Sequence, residues 1–161
     1  MIPPFTDHGL LPPGRHPATP VEIENRLVTT FPTSMTRKGL YDGWMRRREE
    51  LLSIVDVVAE WIDGSFVTAK RDAGDVDLVT LIRQDVIDGL DLNDQKRVYD
   101  LVVGNHARIA FGCDSYLLAV YGESDPFHGD YLWGRGYWDR WWSKHAGVSD
   151  MKGYLEVRSP E

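Results

Sequence analysis

One stretch constrains this chain more than any other: Gly74-Asp75-Val76-Asp77-Leu78-Val79-Thr80-Leu81-Ile82. From Val76 to Ile82 every residue but Asp77 is apolar or β-branched, a pattern that a folded chain buries as a strand within a sheet. Aspartate is depleted in strands because its carboxylate offers the backbone competing hydrogen bonds, so Asp75 and Asp77 at the head of this strand need a physical reason. Side chains two residues apart share a face, which sets the two carboxylates side by side, about 6–7 Å apart at Cα. Two acids so placed resist joint ionisation unless a cation stands between them, and the hard ions that favour carboxylate oxygen are Mg²⁺ and Mn²⁺. A pair of such ions, about 3.5–4 Å apart, needs a third carboxylate from a neighbouring strand. Asp114 is the candidate, because it opens the strand-like run DSYLLAVY, where a charge is again unexpected.

The remaining chain bounds what such a strand can belong to. With 161 residues, 42% of them hydrophobic and 27% charged, the chain is long enough for one domain with a real core. No apolar run approaches the roughly 20 residues of a membrane span, and the N-terminal sequence lacks the basic and apolar regions of a secretory signal. A single cysteine, Cys113, suits a reducing compartment, so a cytoplasmic protein without a membrane partner is expected. The net charge of -7 argues against a broad basic surface for nucleic acid. The run Arg46, Arg47, Arg48 is the one obvious basic cluster; next to Glu49 and Glu50 it reads as the solvated face of a helix.

Residues 1–18 hold five of the nine prolines, with a sixth at Pro20, and are expected to form an extended arm ahead of a domain over 19–161. Thr19, Pro20 and Glu22 carry a helix start with a capping box. Helical spacing then predicts a long helix from Ser34 to about Glu60. Strands are expected over Trp61–Thr68 and Val76–Ile82, a helix from Asp91 or Asn93 to Val103 ending at Gly104, and a strand over Asp114–Tyr121. Trp133, Tyr137, Trp138, Trp141 and Trp142 lie three to four residues apart in a predicted helix over Asp130–Trp142, which is expected to bury most of its tryptophan in the core. A last strand over Tyr154–Val157 closes the sheet. The fold class is therefore mixed α+β, a single domain with a mixed sheet flanked by helices.

Gly64 and Ser65 supply the second half of a site. Glycine lets the backbone approach a ligand closely, and a small hydroxyl bonds phosphate oxygens without crowding them, so a triphosphate fits there. Lys70 and Arg71 are candidates to contact phosphate from the following turn. Asp63 is read as bracing the turn through backbone N–H groups in preference to acting as another ligand, and Lys152 as an exposed lysine at a strand end in preference to a phosphate contact. His8, His16, His106, His128 and His145 lack ligand spacing, which argues against zinc, and Cys113 reads as a small buried apolar group.

Gly64-Ser65, nine intervening residues, then Asp75-Val76-Asp77-Leu78 resembles the signature of the polymerase-β-like nucleotidyltransferases, above all their short "minimal nucleotidyltransferase" branch. The wording WIDGSFVTAK with GDVDLV is also similar to a group of small bacterial and phage proteins assigned to that superfamily. The resemblance implies the nucleotidyltransferase fold, with Gly64 and Ser65 holding the phosphates of a nucleoside triphosphate. It also implies that Asp75, Asp77 and Asp114 act as catalytic residues holding two Mg²⁺ ions. Relatives in that branch often carry Ala-Arg-Gly after the Gly-Ser, whereas this chain has Phe66, Val67, Thr68, Ala69 and Lys70, so that arginine has no direct successor. The expected activity is transfer of a nucleotidyl group to a hydroxyl of RNA, a protein or a small molecule, in a toxin–antitoxin or phage-defence setting. The alternative is an inactive binding or regulatory module that uses its proline-rich arm and its aromatic segment at 131–142 to hold a protein partner.

Overall fold

The structure is a computed structural model and describes residues 1–144 and 151–159. Among them, five strands form one mixed sheet, and six α-helices pack on it: β1 (Gly14–Pro17), α1 (Pro20–Ile23), α2 (Arg37–Leu52), β2 (Ala59–Asp63), β3 (Val76–Arg83), α3 (Gln84–Asp88), α4 (Leu92–Val102), α5 (Asn105–Phe111), β4 (Cys113–Val120), α6 (His128–Trp142) and β5 (Gly153–Arg158). The strand order is β1-β5-β2-β3-β4. Pairs β2/β3 and β2/β5 are antiparallel, and pairs β1/β5 and β3/β4 are parallel. The parallel step from β3 to β4 requires a crossover, and α3, α4 and α5 supply it.

The apolar residues of the strands alternate between two cores. Ile62, Leu78 and Ile82 face Trp44, Leu51, Val98 and Phe111 on one side of the sheet. Trp61, Val79, Leu81, Leu118 and Tyr154 face Trp142 of α6 on the other. Local signals explain several element ends. Thr19 caps α1 in a complete capping box with Glu22, Asp91 accepts from the Asp94 N–H at the start of α4, and Gly112 in the left-handed region (φ 69°) ends α5.

The structure departs from the sequence reading at several places. The long helix stops at Leu52, because Ile54-Val55-Asp56-Val57-Val58 is a β-branched run that leads into β2. The strand from Trp61 ends at Asp63, where Gly64 turns the chain into a single 3₁₀ turn over Ser65–Val67. Gly104 does not release the chain after α4 but leads directly into α5. The proline-rich arm provides an edge strand, β1, and buries Ile2, Leu10 and Leu11. Arg47 and Arg48 are buried rather than solvated: both pair with buried Glu60, Arg47 through Nη1 at 2.5 Å, and Arg47 also donates to Thr80 Oγ1, Ser115 Oγ and the Leu101 carbonyl. Arg46 is exposed as read, whereas the partner of Arg47 and Arg48 lies 12–13 residues away on a strand, out of sight of the local pattern.

Candidate active site

Strand register brings the acidic residues together. Asp63 at the end of β2 stands opposite Asp77 on β3, and Asp77 stands opposite Asp114 on β4. By alternation these positions share the sheet face that carries Trp61, Val79 and Leu118, which is the α6 side. Asp75 falls one residue before β3 begins, so it flanks the strand end rather than belonging to the strand. Asp75, Asp77 and Asp114 are all partly accessible to solvent.

Gly64 closes this corner. Its backbone (φ 78°, ψ -161°) is open essentially to glycine alone, and a Cβ there would fall inside the Asp77 carboxylate. The Gly-Ser turn and the aspartate strand therefore pack directly on one another. Ser65 Oγ accepts a hydrogen bond from the Gly74 N–H at 3.3 Å, which ties the start of the loop to its end.

The loop itself is held by Arg37, a residue that sequence reasoning missed. This buried guanidinium directs its donors to backbone oxygens: Leu27 (2.9 Å) and Phe66 (2.6 Å) from Nη1, Thr68 (2.7 Å) and Lys70 (2.6 Å) from Nη2, and Arg71 (3.1 Å) from Nε. Burial lowers its pKa to about 10, against a smaller opposing effect of Asp72, and the side chain stays protonated at neutral pH. Asp72 in turn accepts from the Ser34 hydroxyl and the Met35 N–H. Lys70 is exposed at the loop surface and lines the same cleft as Gly64 and Ser65.

The electrostatics are unbalanced. Burial, and then the neighbouring carboxylates of Asp75, Asp63 and Asp114, push Asp77 up to about 6, with Lys152 pulling the other way. Lys152 is buried and pairs with Asp63 at 2.5 Å, so the expectation of an exposed strand-end lysine is corrected, and Asp63 has a cation as partner beyond its expected bracing of the turn. Its neighbour Gly153 packs against the Pro12 carbonyl and the His16 ring, which fixes the entry to β5 beside the site. Arg108 of α5 reaches Asp75 at 3.1 Å with its side chain 58% exposed, a single-contact pair that caps one carboxylate and leaves the others. Tyr116 donates its hydroxyl to Asp114 at 3.2 Å.

A cleft of about 990 Å³ opens beside Gly64, Ser65 and Asp77, walled by Lys70, Lys152 and Trp141. An all-oxygen donor set on adjacent strands fits Mg²⁺ or Mn²⁺ in chemistry, and such an ion would offset both the burial and the carboxylate repulsion that act on Asp77. Among the described residues, no three His, Cys, Asp or Glu side chains are already gathered around a single ion position. Cys113 is buried beside Asp114, and burial pushes its thiol up to about 12, so it is inert packing as the sequence reading has it. His145 lies outside the described residues. Trp141 had a signal that was misread: the spacing of four between Trp133, Tyr137 and Trp141 marks a helix face, and that face is not the core.

A family profile described as "Family of unknown function (DUF6932)" matches residues 3–158, nearly the full length. No curated protein and no solved structure matches the chain. No described helix is long and apolar enough to cross a membrane.

Proposed function

We propose that this chain, which belongs to the family of unknown function DUF6932, is a divalent-cation-dependent nucleotidyltransferase of the polymerase-β-like fold. The observation that carries the reading is the packing of Gly64 against the Asp77 carboxylate, with Asp114 in register on the next strand. The Gly-Ser turn thereby meets Asp77 within one cleft, with Asp114 beside Asp77 on the next strand.

In this reading Gly64 and Ser65 hold the β and γ phosphates, with Lys70 and Lys152 as the nearby cations of the cleft wall. Asp75 and Asp77 are the residues that would hold Mg²⁺ or Mn²⁺, shared with Asp114. When bound, the ions offset the charge of the phosphates and of the attacking and leaving oxygens. Asp114 stands on the acceptor side, where its carboxylate accepts the proton of the attacking hydroxyl, and Tyr116 orients it by hydrogen bonding. Arg37 keeps the loop in shape, so the phosphate contacts need no ordering step on binding.

One observation favours a second reading. Arg108 on Asp75 is the arrangement expected if the carboxylates no longer serve a cation, which would make the protein a binding module without turnover. Calorimetry with each nucleoside triphosphate in Mg²⁺, together with a pyrophosphate-release assay on total cell extract, separates the two. Metal-linked binding with slow pyrophosphate release supports the enzyme; binding without release, lost on no aspartate substitution, supports the module.

A further inference from the structure

The carboxylate geometry leaves the acceptor open, and the outer aromatic residues of α6 address it. Trp133, Tyr137 and Trp141 stand one helical turn apart and are 68%, 39% and 60% exposed. Their rings run nearly parallel: Trp133 and Tyr137 lie 5.7 Å apart at 18°, and Tyr137 and Trp141 lie 6.2 Å apart at 9°. Offset stacking at these separations leaves part of each ring face open. The helix does not need this face for packing, because Trp142 is buried and Trp138 half-buried against the sheet.

Position ties the ladder to the site at two points, Trp141 and Tyr137. Trp141 is itself a wall of the cleft that holds Gly64, Ser65 and Asp77. Tyr116, bonded to Asp114, has its ring 4.9 Å from Trp138, and Trp138 meets Tyr137 at 5.4 Å. An aromatic path therefore runs from the acceptor-side carboxylate to the ladder. At the cleft end are the cations Arg140 on the last turn, Lys144 beyond it and Lys70 in the cleft wall; Asp139 of that turn is bonded to the Tyr154 hydroxyl, the cleft carboxylates Asp63 and Asp77 lie deeper at the strand ends, and Asp130 lies on the first turn at the far end.

We propose that Trp133, Tyr137 and Trp141 form the platform on which bases of a single-stranded nucleic-acid acceptor stack, delivering the strand end into the cleft at Trp141. Every base has a π face, so such a platform takes strands without regard to sequence. It also suits a chain of net charge -7, whose few local cations support only a short run of phosphates. A protein surface is the other occupant that exposed tryptophan serves, but parallel rings in series with Arg140, Lys144 and Lys70 at one end match stacked bases and their phosphates better. The direction of the strand rests on the nucleotidyltransferase reading; the stacking does not.

The test is fluorescence anisotropy in EDTA, so that neither metal nor turnover enters, with an oligoadenylate of about 12 nucleotides compared with an abasic chain of equal length. The oligoadenylate is expected to bind and the abasic chain to bind far more weakly. Trp133→Ala and Trp141→Ala each weaken binding roughly tenfold, whereas Trp133→Phe and Trp141→Phe keep most of it. Both positions are exposed, so unaltered circular dichroism checks the fold. Equal binding of the alanine variants, no binding by the natural chain, or loss of a self-association seen by ultracentrifugation in those variants overturns the proposal. Base-dependent binding without any nucleotide transfer leaves the platform standing and removes the enzyme; transfer to small hydroxyl compounds without strand binding does the reverse.

Discussion

Two polar clusters sit on opposite faces of the same three strands, and they are built on opposite principles. On the α2 face, Glu60, Thr80 and Ser115 meet the Arg47 guanidinium, Arg48 adds a second cation, and the bonding is mutual. On the α6 face, Asp63, Asp77 and Asp114 stand in register with Asp75 beside them, and the cations within reach are Lys152 on Asp63 and Arg108 on Asp75. The hydrogen bonding of the first cluster is saturated and the second is in excess of negative charge, and at Asp77 burial first and then the neighbouring carboxylates raise the pKa. Buried charge that serves the fold has its hydrogen bonds met in place, here with two guanidiniums sharing one carboxylate, whereas carboxylates gathered at strand ends beside a cleft mark a candidate site.

The contrast breaks most sharply at Asp77. Asp77→Asn is expected to lower nucleotide transfer by about 10³-fold or more while the circular dichroism spectrum stays unchanged. Pyrophosphate release is the measurement, and a variant that keeps its rate removes the aspartates from the chemistry. The saturated cluster should fail in the other way. Arg47→Met leaves Glu60 with Arg48 alone and deprives Thr80, Ser115 and the Leu101 carbonyl of their donor, which is expected to destabilise the fold by about 3 kcal/mol or more in urea unfolding. A loss under about 1 kcal/mol would place this cluster with ordinary surface ion pairs.

Acidity separates the clusters further. Folded Asp77 titrates near 6, and in the unfolded chain it returns to about 3.8, so the folded state holds this proton more tightly. Its penalty is absent below about pH 4, grows as pH rises through 4 to 6, and is complete above. In EDTA, thermal unfolding should show that loss of stability with rising pH. Asp77→Asn should remove it and gain about 1 kcal/mol at pH 7, after allowance for the solvent that reaches the group, or roughly 2–4 °C. A variant that gains stability as it loses activity would be direct evidence of charge kept for function. The smallest effect is expected at Arg108. Arg108→Ala should leave stability unchanged and tighten Mg²⁺ binding up to about fivefold at low salt, as an exposed counter-charge would. Weaker Mg²⁺ binding would make Arg108 a working part of the site.

Much of the site was legible because its logic is local. Strand alternation and the unexpected placement of Asp77 and Asp114 pointed to one sheet face, and the register of β3 with β4 brings those two together. Gly64 was legible as a close approach, though not what approaches it. The rest depended on distant partners. Nothing near Arg37 in sequence hints at carbonyls 29 to 34 residues on, and Lys152 reads as exposed until Asp63, 89 residues earlier, is placed beside it. β1 was hidden because a proline-rich segment has no strand pattern of its own and pairs only once β5 exists. The α6 tryptophans show the limit of periodicity: a spacing of four identifies a face but not whether protein or solvent lies against it.

Arg37 holds the Gly-Ser loop through main-chain oxygens, none of which changes charge between acid and neutral conditions. The shape of that loop is thereby insulated from the protonation of the carboxylates beside it, and Asp77 can gain or lose its proton without altering the frame against which a phosphate would rest.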